Sequence, residues 1–84
     1  MPVISSFYGL VVRMYFKQSE HNPPHFHVEY GEYRGVIEIS TLNMLEGNLP
    51  PKARVLIMDW GIQHQDELME IWNSQVFKKI PPLK

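Results

Sequence analysis

The hydrophobic pattern of the chain changes from a two-residue period to a period of about 3.6 residues near residue 50. Alternating apolar and polar positions from Tyr8 to Phe16 predict a first half-buried strand. The same alternation from His25 to Tyr30 and from Tyr33 to Ile39 predicts a second and a third strand. A shorter segment from Met44 to Glu46 is a candidate fourth strand.

A tight turn at Gly31 and Glu32 predicts how the second and third strands pair. A two-residue turn sets the register and therefore decides which side chains share a face of the sheet. One face then carries apolar residues, namely Phe26, Val28, Tyr30, Tyr33, Ile37 and Ile39. The other face collects polar residues around Val36, namely His25, His27, Glu29, Arg34 and Glu38. In this register His25 lies opposite Glu38, close enough for an ion pair or a hydrogen bond.

The second half of the chain predicts helix after Pro50 and Pro51. A straight helix from residue 51 to residue 77 would be about 40 Å long, too long for so small a sheet. We therefore expect a break between Gly61 and Gln65 and two helices. The predicted fold is α+β: a three- or four-stranded antiparallel meander sheet with two C-terminal helices packed on one face, and Trp60 and Trp72 at the seam.

Composition limits the domain count and the kinds of site. With 84 residues, 44% of them hydrophobic, residues 1–84 are expected to form a single domain, with strands within 3–47 and helices within 50–78. The net charge of −1 argues against strong nonspecific binding of nucleic acid. Because the chain contains no cysteine, a disulfide scaffold, a thiolate metal site and a cysteine nucleophile are excluded. It has no recognisable targeting segment and no long apolar run, so we expect a cytoplasmic protein that does not enter a membrane.

The segment from His21 to Glu29 carries the strongest chemical signal. Two histidines at positions i and i+2 of a strand point the same way, so His25 and His27 could bind one divalent metal ion together with Glu29 or Glu38. Such a site would support metal-dependent hydrolysis. The competing interpretation is that both histidines are structural residues or part of an interface. The candidate functional face is His21, His25, His27, Glu29, Arg34 and Glu38, with no catalytic residue assigned and no cofactor required.

Two further features receive mainly structural interpretations. His64 lies on the apolar stripe of the helical region between Trp60 and Leu68, which is typical of a core or capping histidine. Scattered arginines, lysines and tyrosines could contact single-stranded RNA, although surface charges and half-buried aromatic rings explain them more simply.

Four segments together resemble the bacterial domain-of-unknown-function family 4160. They are residues 1–9, the block from His21 to Tyr30 with its Pro-Pro-His-Phe-His-Val core, the turn from Leu45 to Pro50, and the Trp60 to Trp72 spacing. The resemblance extends over nearly the whole chain, although Gly61 departs from the helix-forming residue expected at that position. It implies a small cytoplasmic protein, of a kind often encoded beside a second small domain in pairs that look like toxin–antitoxin modules.

The sequence leaves two classes of function open. The first is a protein-interaction module that binds a small protein encoded nearby, with homo-oligomerisation as a further expectation for so small a core. The second is an enzyme, a metal-dependent hydrolase or ribonuclease that uses the two histidines of the second strand.

Overall fold

The computed structural model describes residues 3–15 and 23–84, which form an antiparallel sheet of five strands with one α-helix against one face. The elements are β1 (Val3–Phe7), β2 (Leu10–Arg13), β3 (His25–Tyr30), β4 (Tyr33–Glu38), β5 (Met44–Asn48) and α1 (Pro51–Ser74). Each strand pairs with the next one along the chain, so the sheet is a meander. The predicted α+β class and antiparallel meander are confirmed. The predicted numbers of strands and helices are wrong, because the described residues contain five strands and one helix.

The additional strand lies before the first predicted one. A tight turn at Tyr8 and Gly9 joins β1 to β2, and both residues have positive φ, 48° and 84° respectively. This is the backbone conformation that a two-residue hairpin turn requires. The first strand was predicted to run from Tyr8 to Phe16, but β2 begins at Leu10 and ends at Arg13, and Phe16 lies outside the described residues.

The core lies between the sheet and α1. The sheet contributes residues at alternate positions, among them Leu10, Val12, Met14, Phe26, Val28, Ile37 and Ile39, and the helix contributes Ala53, Ile57, Trp60, Leu68 and Ile71. Trp60 is fully buried, and its ring centroid lies 5.6 Å from that of Phe7 and 6.0 Å from that of Phe26. Its indole N–H donates a hydrogen bond to the carbonyl oxygen of Pro81. Trp72 is half-buried and contacts His25 rather than these core rings.

The predicted break in the helical region is a local distortion within a single helix. His64 has non-helical torsion angles, with φ −126° and ψ 20°, and this position lies within the predicted interval from Gly61 to Gln65. Gly61 itself is helical and buried, and a Cβ atom there would lie 2.9 Å from Cδ2 of Leu42. The glycine thus permits close packing of α1 against the loop before β5. His64 is half-buried and donates a hydrogen bond through Nδ1 to the Glu67 carboxylate.

The chain after α1 returns to the first strand. The helix ends at Ser74, four residues before the predicted boundary at 78, and Gln75 caps it with a left-handed φ of 58°. The backbone N–H of Ile80 then donates a hydrogen bond of 3.0 Å to the carbonyl oxygen of Ile4. Ile80 is buried in the core cluster, so this C-terminal segment covers the outer side of β1.

Ser5 supplies a prediction about stability. Its side chain is buried, and among the described residues its hydroxyl oxygen has no hydrogen-bond partner. Because an unsatisfied buried hydroxyl costs about 1–3 kcal/mol, we expect Ser5→Ala to raise the free energy of unfolding by about 1 kcal/mol. The neighbouring exposed Ser6 provides the control, and Ser6→Ala should change the free energy by less than about 0.5 kcal/mol. Urea unfolding of both variants tests this, and a loss of stability in Ser5→Ala would contradict it.

Candidate interaction face

The face of the sheet turned away from α1 carries most of the polar side chains of the strands. We call this surface the polar sheet face and define it by Arg13, Tyr15, His27, Glu29, Arg34, Val36, Glu38 and Glu46. It forms because successive residues of a strand point to opposite sides, and α1 covers the apolar side.

The predicted pairing of β3 with β4 is confirmed residue by residue. Tyr30 pairs with Tyr33 across the Gly31 and Glu32 turn, and the remaining pairs follow in the expected register: Glu29 with Arg34, Val28 with Gly35, His27 with Val36, Phe26 with Ile37 and His25 with Glu38. Phe26 and Val28 are accordingly buried under the helix. His27, Glu29 and Arg34 therefore lie on the polar sheet face, as the sequence predicts.

A groove of about 250 Å³ runs across the polar sheet face from Tyr15, two residues after β2, to β5. Its lining consists of Tyr15, His27, Val28, Glu29, Arg34, Gly35, Val36, Glu46 and Gly47. Three of the six predicted candidate residues line it, namely His27, Glu29 and Arg34. Sequence reasoning missed Tyr15 and Glu46 as members of this site. The predicted meander pairs β2 with β3 and β4 with β5, but the registers of these two pairs were not predicted, so neither residue could be assigned to the site.

The charges in the groove are only partly matched. Arg13 Nε lies 3.3 Å from Glu29 Oε2, so this pair neutralises itself at one end of the groove. Within residues 3–15 and 23–84, no carboxylate lies within 4.0 Å of a cationic nitrogen of Arg34. Glu46 is likewise exposed, and no cationic nitrogen of the described residues lies within 4.0 Å of its carboxylate. The β4–β5 end of the groove thus presents one cation and one anion to a ligand.

His25 and Glu38 occupy opposite positions, but the expected pair between their side chains is not formed. His25 is 5% exposed, and its Nδ1–H donates a hydrogen bond of 2.9 Å to the carbonyl oxygen of Pro23. The Glu38 carboxylate instead accepts hydrogen bonds from the hydroxyl groups of Ser40 and Thr41, at 2.9 Å and 3.0 Å. The predicted ion pair or hydrogen bond between these two side chains is therefore wrong, because each side chain bonds to a residue close to it in the sequence.

The histidines of β3 form part of an aromatic row along the edge of the groove. The centroids of the His25 and His27 rings lie 5.3 Å apart, and the Tyr15 ring contacts His27 edge-on at 4.3 Å. On its other side His25 contacts Trp72 at 5.0 Å. This row fixes the orientation of His27 beside the groove and buries His25 between β3 and the end of α1.

The residues proposed as metal ligands are only partly brought together. His25 and His27 are neighbours, but Glu29 is paired with Arg13, and Glu38 is bonded to Ser40 and Thr41. In the part of the chain that the structure describes, no group of three histidine or carboxylate side chains is arranged to hold a metal ion. His21, the remaining candidate, lies in segment 16–22, outside the described residues.

The fold and the site together define a class of protein. It is a small α+β domain with a helix on one face of a meander sheet and a polar groove on the other. The family model of the Domain of unknown function (DUF4160) matches residues 9–73, which include all of β2 to β5 and nearly all of α1. The chain belongs to this family, and the suspected resemblance is confirmed. The comparisons found no match among curated proteins or solved structures. No helix in the described ranges is long and apolar enough to cross a membrane.

Proposed function

We propose that this protein is an interaction module that binds a small protein partner, encoded nearby as in toxin–antitoxin-like gene pairs. The observation that carries the proposal is the groove on the polar sheet face. It is lined by aromatic, charged and apolar side chains together, which is the mixture that protein interfaces use.

The groove offers several properties of a binding surface. Tyr15 and His27 offer rigid ring surfaces, and Val36 supplies an apolar floor between them and Glu46. Arg34 and Glu46 add charges without close partners of opposite sign among the described residues. A partner can therefore gain buried area, hydrogen bonds and charge pairs at one place.

Val36→Lys tests this proposal. Val36 is a half-buried residue of the groove and lies directly opposite Glu46, so a lysine there should fill part of the groove and pair with the carboxylate that a partner would otherwise use. We expect this variant to weaken the complex with the product of the neighbouring gene at least about tenfold. The measurement is copurification followed by calorimetric titration of the two purified proteins.

Val76→Lys is the matched control, because Val76 is an exposed valine just after α1 and outside the groove. It should leave the affinity unchanged, and circular dichroism should show both variants folded. A protein that never associates with the neighbouring gene product, and whose expression leaves growth unaffected, would overturn the proposal.

The alternative function is a metal-dependent hydrolase or ribonuclease at His25 and His27. The 5.3 Å separation of their ring centroids favours it, and so does the bond from His25 Nδ1–H to a backbone carbonyl, an arrangement common among metal-binding histidines. The nitrogen left for a metal ion on His25 is then Nε2. Titration with zinc or manganese, followed by imidazole NMR signals, tests this. Unchanged signals of both histidines would remove the alternative.

A further inference from the structure

The two edges of the sheet differ in how they are covered. The C-terminal segment lies along β1, where Ile80 donates its backbone N–H to Ile4. On the opposite edge, β5 pairs with β4 on its inner side, and the described residues supply no backbone hydrogen bond to its outer side. All residues of β5 after Met44 are exposed. A strand edge of this kind is a template for pairing with another extended chain.

Side-chain sites are present on both faces beside this open edge. On the polar sheet face the groove reaches β5 at Glu46 and Gly47. On the helix side a cleft of about 160 Å³ lies between β5 and α1, lined by Ile37, Leu42, Asn43, Met44, Arg54, Ile57 and Met58. Since the side chains of an added strand alternate between the faces, a segment bound to β5 could place side chains in the groove and in the cleft in turn.

Charge indicates what kind of segment fits. Arg34 lies opposite Asn48 near the C-terminal end of β5, and Arg54 lines the cleft beside Met44 near its N-terminal end. Among the residues described, no carboxylate is within 4.0 Å of either arginine side chain. The open edge therefore has an arginine without a carboxylate partner near each end, on opposite faces of the sheet. An extended segment with an acidic residue near each end is complementary to it.

A second copy of the chain fits this edge poorly. Full antiparallel overlap of two β5 strands about a two-fold axis places the central residue, Glu46, directly opposite its own copy. Like charges directly opposite each other in a sheet are destabilising. The charge pattern thus favours a different chain as the added strand.

We propose that the protein partner binds by adding an extended segment to the outer edge of β5, with acidic side chains that reach Arg34 and Arg54. The inference rests on the proposed function and specifies how the partner is held: the backbone of β5 gives the pairing, and the groove and cleft give the side-chain selectivity. The sheet of the complex then has six strands.

Hydrogen exchange on the copurified complex with the neighbouring gene product tests the inference. Outward-facing backbone N–H groups of residues 45–48 should exchange at least about tenfold more slowly in the complex than in the free protein, because they become hydrogen-bonded. The amides of β1, on the covered edge, should exchange at the same rate in both. Arg34→Glu and Arg54→Glu should each weaken the complex about tenfold. Lys79 is an exposed cation beside β1, so Lys79→Glu is the matched control and should leave the affinity of the complex unchanged.

The outcomes separate the two proposals. If no complex forms, the proposed function fails and this inference fails with it. If a complex forms but the β5 amides exchange at an unchanged rate, strand addition is overturned while the interaction function stands. In the free protein, exchange of the β5 amides could slow as the protein concentration rises, with a dimer seen in light scattering. That result would assign the edge to a second copy of the chain and overturn the choice of partner. If the arginine variants and the lysine control bind the partner with equal affinity, the proposal that acidic side chains of the partner reach Arg34 and Arg54 is overturned.

Discussion

Replacing Trp60 with alanine is expected to lower the free energy of unfolding by about 3–5 kcal/mol, because the change leaves a large cavity in the core. Trp60 is fully buried between Phe7 and Phe26, and its indole N–H bonds the carbonyl oxygen of Pro81. A chain of 84 residues has a total stability of about 4–13 kcal/mol, so this loss removes a large part of it. Thermal and urea unfolding followed by circular dichroism measure the effect.

Two further variants show what the tryptophan contributes. Trp60→Phe keeps an aromatic ring in the core but loses the hydrogen bond to Pro81, so we expect a smaller loss of about 1–2 kcal/mol. Phe77→Ala removes a ring that is 42% exposed and should cost less than about 1 kcal/mol. Equal losses for Trp60→Ala and Phe77→Ala would contradict the assignment of Trp60 to the buried core.

Gly47→Ala is expected to be the most damaging small substitution in the sheet. Gly47 has a φ of 88°, and a Cβ atom there would lie 2.1 Å from the carbonyl oxygen of Arg34 and 2.9 Å from Cα of Gly35. Left-handed strain costs about 1–2 kcal/mol and the collision with β4 adds about 1–3 kcal/mol, so the total loss is about 2–5 kcal/mol. Backbone atoms cannot rotate away as a side chain can, so β5 must separate from β4. Urea unfolding gives the loss, and hydrogen exchange of the β4 amides shows the separation.

Gly31→Ala is the control for this prediction. Gly31 also has a positive φ, 58°, but the space around it is open to at least 4 Å. Its replacement should therefore cost the conformational strain alone, about 1–2 kcal/mol. The difference between the two variants measures the steric conflict between β5 and β4. Losses of equal size would show that this close approach does not exist in solution.

The sheet could be predicted wherever a local signal fixed the geometry. The two-residue turn at Gly31 and Glu32 determines the register of β3 and β4, and every predicted pair between them is present. The turn between β1 and β2 was missed because one of its two positions is Tyr8, a residue that rarely adopts a positive φ. Sequence preference gives no warning of such a turn, so the alternating pattern was extended through it.

In the helical region the predicted interval of the break is correct, but the role of Gly61 in it was not predicted. Gly61 was read as a sign of a break because glycine weakens a helix. In the fold it allows α1 to approach Leu42, a contact between residues 19 positions apart whose existence depends on the tertiary structure. The distortion occurs at His64, within the predicted interval from Gly61 to Gln65. A single sequence does not show whether a glycine is needed for close packing against a distant residue or for an unusual backbone conformation.

The sequence predicted which residues of the candidate site share a face of the sheet, but not which side chains bond to each other. Register placed His27, Glu29 and Arg34 on one side, which the structure confirms. The sequence did not show that Arg13 lies 3.3 Å from Glu29, because that contact depends on the register between β2 and β3, which was not predicted. It also could not show that Ser40 and Thr41 bond to Glu38, since hydroxyl groups in an adjacent loop compete with a cross-strand partner.

The sequential order of the strands has a consequence for the way the chain acquires its structure. Every hairpin of the meander closes between neighbouring segments, so the sheet is built from contacts of short separation, which form early and at low entropic cost. The bond from Ile80 to Ile4 joins the two ends of the described chain and closes a far longer loop. That contact should therefore form last and open first, so that the β1 edge is still uncovered when the hairpin of β3 and β4 is already in place.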